Sequence, residues 1–398
     1  MNFSLWQATL QIETIIDKIG FVKYKKILVT GGAGFIGSHT VDLLLKNRYK
    51  VRILDNLQKR VHPQGKPMYL PKEAEFIKGD VSNPKTFLKA LSGVDAVFHL
   101  AAYQDYMPDF SRFVHTNTES SALVFELILA NKLPIKKIVF ASSQAVAGDG
   151  VWKCKSHGKF LAEQRSVEQL EKSEWEIKCP ICQKDAKNVL MRENVANPIT
   201  AYGISKYAIE LLAKKLGQKY KIPTVCLRYT YVQGPRNSFY NAYSGIARVF
   251  TMRILNKKPP ILFEDGMGLR DYVNVFDVAK ANLLVLENDK ANNKVFFVGG
   301  GKAYTGVEFA KTMLKVFGSY IEPQIPGIFR VGDTRSTVSS ISKLKKIGWK
   351  PKVELEESLK QYRDWIIEQA SIRDISDKAV QKMMKQKVIR KVKRKKKL

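Results

Sequence analysis

Cysteine, histidine and acidic residues are scarce in this 398-residue chain, and long apolar runs are missing. The cysteines, Cys154, Cys179, Cys182 and Cys226, are too few and too clustered for the disulfide framework of a secreted protein. No stretch approaches the roughly 18 uninterrupted apolar residues that a membrane-spanning helix needs. Residues 1–20 lack a basic segment and a cleavage site, which indicates a short amphipathic helix and no signal peptide. We therefore expect a cytoplasmic location and no transmembrane segment.

The shortage of acidic residues leaves a net charge of +30, from 67 Lys and Arg against 37 Asp and Glu. Basic residues are densest at the end, where no acidic residue follows Asp377. Val380, Met384, Val388 and Val392 recur there at helical spacing, which predicts a basic amphipathic helix able to sit on anionic lipid or nucleic acid. A solvated tail is an equally good interpretation. On both, residues after Asp377 lie outside the catalytic core.

Apolar strand-like segments alternate with helical segments along most of the chain. From residue 25 to 55 the order is the strand KILVT, a glycine turn, a helix and the strand KVRILD, which is one βαβ unit. The alternation continues through VDAVFHLAA and KKIVFASS. It predicts an α/β fold with a doubly wound parallel sheet of the Rossmann type and a smaller C-terminal substrate lobe.

The turn after the first strand carries a dinucleotide-binding fingerprint, made by Gly31, Gly34 and Gly37. Glycine permits the sharp turn, the close approach of a pyrophosphate and tight packing of helix on strand, and it leaves amide donors at the helix N-terminus. Asp55 ends the second strand at the distance expected for a carboxylate that binds the adenosine ribose. That carboxylate favours NAD over NADP, although the nearby Lys59 and Arg60 soften the preference.

These features divide the chain into segments of different expected role. We predict an N-terminal extension, a NAD-binding Rossmann domain with a Cys/His-bearing insertion, a segment that is mainly the substrate-binding lobe, and a basic tail. Their respective bounds are 1–24, 25–235 with the insertion at 150–195, 236–370 and 371–398.

Tyr202 and Lys206 stand four residues apart in AYGISKYAIELLAKKL, so on a helix they share one face. A lysine ammonium beside a tyrosine stabilises the phenolate and lowers the phenol pKa, which predicts a general base. Ser143 ends the strand KKIVFASS, and strand C-termini in open α/β sheets face the ligand crevice. A base at His99 or His115 is the alternative, although His99 is expected in a buried strand.

Taken together, these motifs resemble the extended short-chain dehydrogenase/reductase family of nucleotide-sugar epimerases and dehydratases. The matching pieces are TGGAGFIGSH, LDN, GDV, FHLAA, FASSQAVAG, LRYTYVQGPR and LRDYVNVFDVAKA. The resemblance implies that Ser143, Tyr202 and Lys206 are catalytic. It further implies a nucleotide-sugar substrate and a homodimer formed through the helices after Asn117 and Tyr202.

The same resemblance assigns binding residues at both ends of a catalytic cleft. It implies that NAD is bound by Gly31, Gly34, Phe35, Ile36, Gly37, Asp55, Asn56, Asp80, Val81, Leu100, Ala101, Ala102, Asn117, Tyr202, Lys206 and Tyr229. It implies that the sugar nucleotide is bound by Ser143, Tyr231, Arg270, Arg330 and Asp333.

Two departures from the family pattern narrow the chemistry. Gln144 and Ala145 stand where 4,6-dehydratases of the family carry an Asp-Glu pair, so water elimination is not expected. Tyr231 stands where an asparagine usually contacts the substrate, which puts a standard UDP-galactose site in doubt. An apolar wall at Tyr231 would instead suit the C6 methyl group of a deoxysugar.

Cys154, His157, Cys179 and Cys182 form one C-x-x-H and one C-x-x-C pair, which predicts a structural zinc site. Reduced pairs or a redox dithiol are the alternatives. The insertion that holds them resembles the insert of dTDP-L-rhamnose 4-epimerases, as do VQGPRNSFYNAYSG and DTRSTVSSISKL. Cys226 lies in a strand and is expected to be core.

The function that these observations predict is an NAD-dependent nucleotide-sugar 4-epimerase, specifically one acting on dTDP-L-rhamnose. Tyr202 would take the C4 hydroxyl proton and Ser143 would donate a hydrogen bond to the developing ketone, while hydride passes to NAD and returns to the other face. Alternatives are a UDP-glucose/galactose 4-epimerase and a reductase or dehydrogenase that releases NADH. A non-catalytic NAD-binding scaffold fits less well, since a scaffold needs no such set of catalytic side chains.

Overall fold

The computed structural model describes residues 23–240, 245–369 and 374–393. Residues 1–22, including the helix expected near the N-terminus, lie outside the described residues. In the described ranges, no helix combines the length and the apolar character needed to cross a membrane.

Strands make up a large central sheet and three small ones. In chain order they are β1 Lys26–Thr30, β2 Lys50–Asp55, β3 Glu75–Lys78, β4 Ala96–His99, β5 Lys137–Ser143, β6 Val151–Cys154, β7 Gly158–Leu161, β8 Lys187–Val189, β9 Thr224–Tyr229, β10 Tyr231–Gln233, β11 Leu269–Asn274, β12 Lys294–Val298, β13 Ala303–Thr305, β14 Ile328–Arg330 and β15 Ile389–Lys391.

Helices follow most of the strands. They are α1 Phe35–Lys46, α2 Pro84–Leu91, α3 Phe110–Phe113, α4 Ser120–Ala130, α5 Val167–Glu171, α6 Ala201–Lys219, α7 Ile246–Leu255, α8 Val275–Glu287, α9 Gly306–Val316, α10 Ser342–Lys345, α11 Leu355–Ile367 and α12 Ser376–Lys385. A π-helical turn, Val114–Glu119, joins α3 to α4, so helical backbone runs from Phe110 to Ala130.

The central sheet has seven parallel strands in the order β12-β9-β5-β4-β1-β2-β3. The chain reverses its direction of travel across the sheet between β1 and β4, which is the switch point where doubly wound folds bind ligands. Strands such as β1 and β9 are buried almost throughout because helices cover both faces. The predicted doubly wound α/β fold is confirmed.

Alternate side chains of each central strand enter separate cores on the two faces of the sheet. Ile27 and Val29 of β1 pack into one core, whereas Leu28 packs into the other. This alternation follows from the two-residue period of a strand. Because both faces are filled, the helices are fixed against the sheet, and the loops at its edge have a rigid base.

The smaller lobe has its own core around Phe250, Tyr272 and Phe309, between α7, α9, α11 and the sheet β10-β11-β13. Two elements from the segment assigned to this lobe belong elsewhere. The strand β12 pairs with β9, and α8 packs on α1, so both complete the central domain. The chain thus returns to the central sheet after it has begun the lobe, and residues 236–370 contribute to both units.

The insertion folds as a small antiparallel sheet in the order β7-β6-β8, followed in the chain by the rest of the central fold. Trp152, Ala162, Ile177 and Ala186 form its core. Trp152 also donates its indole N–H to the carbonyl oxygen of Asp149. The insertion is therefore a packed unit and not an extended loop.

The basic tail does not form the single long helix that its spacing predicts. The helix α12 ends at Lys385, and Val388 and Val392 follow it, flanking β15, which pairs with β14. Val380, Met384 and Val388 pack against a core of Ile328, Met383 and Ile389. The prediction was wrong beyond Lys385 because pairing with β14 outweighs the local helical pattern.

A buried ion pair ties the helix α6 to the central sheet. Glu210 of α6 accepts two hydrogen bonds of 2.8 Å from the guanidinium of Arg228 in β9. The hydroxyl of Ser142 in β5 donates to the same carboxylate. Both charged side chains are at most 5% exposed, so each needs the opposite charge of the other in place of water.

We expect Glu210→Gln to destabilise the protein by about 3–5 kcal/mol, because it leaves the Arg228 guanidinium buried without a counter-charge. Guanidinium denaturation followed by circular dichroism measures the loss. The matched control is Glu75→Gln, which breaks the surface pairs of Glu75 with Arg52 and Lys26 and should cost at most about 1 kcal/mol. Equal losses in the two variants would contradict the role assigned to the buried pair.

Candidate functional site

A cavity of about 1100 Å³ opens at the carboxyl edge of the central sheet. It is lined by the catalytic candidates Ser143, Tyr202 and Lys206, by the substrate candidates Tyr231, Arg270, Arg330 and Asp333, and by every cofactor candidate except Asn117. The structure therefore brings together nearly all of the residues that the sequence singled out.

The glycine turn between β1 and α1 is shaped by close backbone contacts. Gly31 has φ of +66°, and a Cβ atom there would lie 2.9 Å from the backbone of Ala101. A Cβ atom on Gly37 would lie 2.1 Å from the carbonyl oxygen of Gly31. No side chain caps the N-terminus of α1, which leaves its amides available to an anion. The turn thus fits the pyrophosphate of a dinucleotide.

Asp55 ends β2 beside this turn, and its carboxylate is fixed by backbone donors. It accepts hydrogen bonds from the N–H groups of Ala33, at 3.0 Å, and Leu57, at 2.8 Å. Arg60 instead pairs with Asp105 at 2.6 Å and stacks on the ring of Tyr103. Asp105 and Tyr103 thus engage the Arg60 guanidinium, and the expectation that Lys59 and Arg60 soften the preference for NAD stays a prediction.

Ser143 and Tyr202 meet across the space between β5 and α6. Burial raises the pKa of the Tyr202 phenol to about 12, and the nearby Ser143 hydroxyl opposes this rise. The α6 backbone comes this close because residue 203 is glycine: a Cβ atom there would lie 2.6 Å from the Ala145 carbonyl oxygen. Thr200 caps the helix by accepting from the Gly203 N–H.

Lys206 lies on the same face of α6 as Tyr202 and is fully buried. Its ammonium donates to the Ala141 carbonyl oxygen at 2.9 Å and lies 5.9 Å from the centre of the Tyr202 ring. Burial lowers the pKa of Lys206 to about 7. Burial disfavours the charged form of both side chains, and the expectation that Lys206 lowers the Tyr202 pKa stays a prediction.

The histidines considered as alternative bases have other contacts. His99 is buried in β4, where its ring nitrogens contact the hydroxyls of Thr30 and Ser120. Burial lowers its pKa to about 3, so it stays neutral. His115 is exposed and contacts Glu119 at 2.7 Å. Neither arrangement favours a histidine over Tyr202 as the base.

Asn117 is not among the residues that line the cavity, and its implied role in NAD binding stays a prediction. Its side chain is fully buried, accepts from the Tyr103 N–H and donates to the Tyr103 carbonyl oxygen and the Ser205 hydroxyl. These bonds join the loop after β4 to α6. Asn117 is therefore a positioning residue for the cavity wall.

At the end of the cavity away from the glycine turn, two guanidinium groups lie beside one carboxylate. Arg270 and Arg330 lie 3.5 and 3.7 Å from the carboxylate of Asp333. Arg270 also lies over the ring of Tyr231, with 5.5 Å between the guanidinium carbon and the ring centre. Cationic donors beside a carboxylate and an aromatic face can hold the phosphates and ribose of a nucleotide.

Sequence reasoning missed other side chains in the cavity wall. Arg330 stacks on the ring of Tyr106 at 3.8 Å, and Arg248 and Lys387 also line the cavity. Tyr106 follows the FHLAA motif, so its place after β4 could have suggested it. Lys387 is separated from the other site residues by a long stretch of sequence, and no local pattern marks it.

The insertion gathers Cys154, His157, Cys179 and Cys182, with all ligand atoms within 4.8 Å of one another. The Cys154 sulfur lies 3.7 Å from that of Cys182 and 3.6 Å from Nδ1 of His157. A tetrahedron with zinc–sulfur bonds of about 2.3 Å has edges of about 3.8 Å. The cluster therefore has the size and the donor atoms of a closed zinc site, whereas Cys226 is buried in β9.

Comparison with known proteins points to one family. The sequence profile of the NAD dependent epimerase/dehydratase family matches residues 27–166 and 180–299. The chain is similar to the dTDP-L-rhamnose 4-epimerase of Burkholderia thailandensis, at 31% identity over 87% of this chain and 96% of the relative.

The chain is also similar to solved structures of nucleotide-sugar 4-epimerases. A UDP-glucose 4-epimerase from Thermotoga maritima, solved with UDP-glucose, has 32% identity and a TM-score of 0.69, over 86% of this chain and 98% of that chain. A UDP-glucuronic acid 4-epimerase from Bacillus cereus, solved with UDP-glucuronic acid and NAD, has 25% identity and a TM-score of 0.70, over 86% of this chain and 99% of that chain.

Proposed function

The chain belongs to the NAD-dependent epimerase/dehydratase family, and from that premise we propose that it inverts C4 of a nucleotide-linked sugar. The observation that carries the proposal is that Ser143 and Tyr202 line the same cavity as the glycine turn and the Arg270–Arg330–Asp333 cluster. A site for a dinucleotide, a site for a second phosphorylated group and an acid–base pair thus share one space.

The geometry supports separate roles for these side chains in cofactor binding and proton transfer. The glycine turn and Asp55 would hold NAD, which supplies, when bound, the oxidant that accepts hydride from C4 and returns it. Tyr202 takes the proton of the C4 hydroxyl and gives it back, and Ser143 donates a hydrogen bond to the same oxygen. Because burial raises the Tyr202 pKa, the phenolate needs a nearby cation, and Lys206 is the cation on the same helix face.

The residues after Ser143 favour epimerisation over dehydration. Gln144 and Ala145 line the cavity and neither carries a carboxyl group. Elimination of water from a 4-keto sugar needs an acid and a base at the neighbouring carbons. A reductase or dehydrogenase would use the same Ser143 and Tyr202, and the product balance distinguishes it from an epimerase.

For the substrate we propose dTDP-L-rhamnose. The similarity to the Burkholderia thailandensis enzyme and the cysteine-bearing insertion support this choice. The rings of Tyr231 and Tyr272, 5.7 Å apart, offer an aromatic wall for a C6 methyl group. A UDP-sugar 4-epimerase of the glucose/galactose type is the second candidate, because the similarity to the Thermotoga maritima enzyme is equally strong.

Incubation with dTDP-L-rhamnose, UDP-glucose and UDP-galactose, with products identified by NMR, tests the proposal. We expect the C4 epimer of dTDP-L-rhamnose and no accumulation of reduced cofactor, because bound NAD is reduced and then re-oxidised in each turnover. Interconversion of UDP-glucose and UDP-galactose, with dTDP-L-rhamnose left unchanged, would replace the rhamnose assignment. Stoichiometric NADH release with a stable keto product would show a dehydrogenase instead.

Replacing Tyr202 by phenylalanine should lower turnover by about 10²- to 10⁴-fold, since it removes the proton acceptor and keeps the ring. Binding of NAD and of the sugar nucleotide should change little, and calorimetry can measure both. Tyr320→Phe, at a fully exposed tyrosine, is the control and should behave as wild type. Retention of more than about a tenth of the activity by Tyr202→Phe would rule out this base.

We propose further that Cys154, His157, Cys179 and Cys182 bind one structural zinc ion. The inter-ligand distances support this, and two of the cysteines are buried beside the Trp152 core. With four protein ligands the metal would have no open position, so its contribution is to the fold of the insertion.

Purified protein should contain about one zinc ion per chain, and Cys179→Ser should lose it and lower the melting temperature, because a structural site couples metal binding to folding. Cys226→Ser is the matched control, since it changes a buried cysteine outside the cluster, and it should keep the metal. Metal analysis that finds no zinc in wild type grown with ample zinc would refute the site.

Association and location stay predictions. Exposed apolar side chains on α4 and α6, namely Leu129, Ile204 and Leu211, support a homodimer through these helices. A cytoplasmic location and binding of nucleic acid or anionic lipid by the tail are likewise expectations. The packing of Val380, Met384 and Val388 leaves less apolar surface for a lipid than the sequence suggested.

A further inference from the structure

The C-terminal segment, residues 374–393, is built into the wall of the cavity. Its strand β15 pairs with β14, which ends at Arg330. The Val331 N–H donates to the Val388 carbonyl oxygen at 3.0 Å, and the Val392 N–H donates to the Gly327 carbonyl oxygen at 2.9 Å. These bonds extend the pairing on both sides of the strands, so the segment directly supports the turn that carries Arg330 and Asp333.

Ion pairs fasten the helical half of the segment to the lobe. Asp377 accepts from Arg253 and from Lys258, and Asp374 also pairs with Lys258. Arg253 donates in addition to the Ser376 hydroxyl at 3.1 Å. The α12 helix is therefore held in place by partners in and after α7.

The strand half of the segment is fastened to the insertion. The Lys393 N–H donates to the Glu171 carbonyl oxygen at 2.9 Å, and the Glu171 carboxylate pairs with the side chains of Lys393 and Arg390. From the insertion, Arg165 donates to the carbonyl oxygen of Asp333 at 2.9 Å. The insertion and the C-terminal segment thus hold the same turn from two sides.

Lys387 is the cation that the segment presents to the cavity. It is exposed, lies between α12 and β15, and lines the cavity together with Val388. Three guanidinium groups of the cavity have counter-charges: Arg270 and Arg330 share Asp333, and Arg335 pairs with Glu264 and Asp265. Across the described ranges, no carboxylate forms an ion pair with Lys387.

We propose that residues 374–393 complete the nucleotide end of the cavity and that Lys387 contacts the diphosphate of the sugar nucleotide. This inference rests on the proposed function, because it takes a nucleotide sugar as the ligand. A diphosphate is the part of that ligand that a flexible, unpaired ammonium recognises. Residues after Asp377 are then part of the binding site, whereas the sequence suggested a dispensable tail.

Calorimetric titration of the full-length, NAD-loaded protein with dTDP and with UDP tests the proposal. We expect Lys387→Asn to weaken binding of the preferred nucleotide by about tenfold, the loss typical of a hydrogen bond to a charged group. Asparagine is chosen because Lys387 has φ of +58°, which asparagine tolerates. Lys387→Arg should bind nearly as wild type, because it keeps the charge. KM should rise in the asparagine variant with little change in kcat.

Lys221→Asn is the matched control, because Lys221 is also exposed, has φ of +56° and lies outside the cavity. Unchanged nucleotide affinity in Lys387→Asn, or an equal loss in Lys221→Asn, would overturn the inference while leaving the proposed function intact. Failure of the wild-type protein to bind either nucleotide would overturn the proposed function itself, and the inference with it.

Hydrogen exchange gives a second readout that does not depend on one side chain. Addition of dTDP or UDP, whichever binds, should slow exchange in peptides spanning 386–393, because the ligand stabilises the turn to which β15 is bonded. Peptides from the exposed end of α6 around Lys221 serve as the internal reference. Unchanged exchange in 386–393 under saturating nucleotide would contradict a place for this segment in the site.

Discussion

Everything in the active cleft depends on parallel strands that end at one edge of the central sheet. Asp55 ends β2, the glycine turn follows β1, and Ser143 ends β5, so groups far apart in sequence line the same cavity. The buried pair of Glu210 and Arg228 then fixes α6 against β5 and β9 and brings Tyr202 to Ser143. The central sheet and the helix packed on it therefore determine where Ser143 and Tyr202 lie.

Two segments that are not part of the alternating strands and helices support the end of the cleft assigned to the nucleotide. The Cys/His insertion supplies Arg165 and Glu171, and the C-terminal segment supplies β15 and Lys387. Both converge on the turn between Arg330 and Asp333. A zinc ion in the insertion would thus stabilise, through Arg165, the part of the cleft assigned to the nucleotide, at a distance from the chemical step.

Much of the fold and the cofactor end of the site could be predicted because their signals are local. A glycine turn after an apolar strand, or Tyr202 four residues before Lys206, can be read within a few residues. The side-chain contacts could not be predicted, because they join residues that are far apart in the sequence. Asn117 forms bonds with Tyr103 and Ser205 that depend on the packed fold.

In the basic tail, a local sequence signal was overridden by a contact with a distant part of the chain. Its helical spacing is a local signal, and it held only as far as Lys385, where pairing with β14 took over. The raised pKa of Tyr202 likewise follows from burial of its phenol, which spacing on a helix does not reveal.

The most direct test of the account is to follow the C4 hydrogen through turnover, using the nucleotide sugar that the enzyme converts, labelled with deuterium at C4. Transient oxidation at C4 predicts an inverted product that keeps the deuterium at C4. Loss of the label to solvent, or a product with C4 unchanged, would contradict the mechanism.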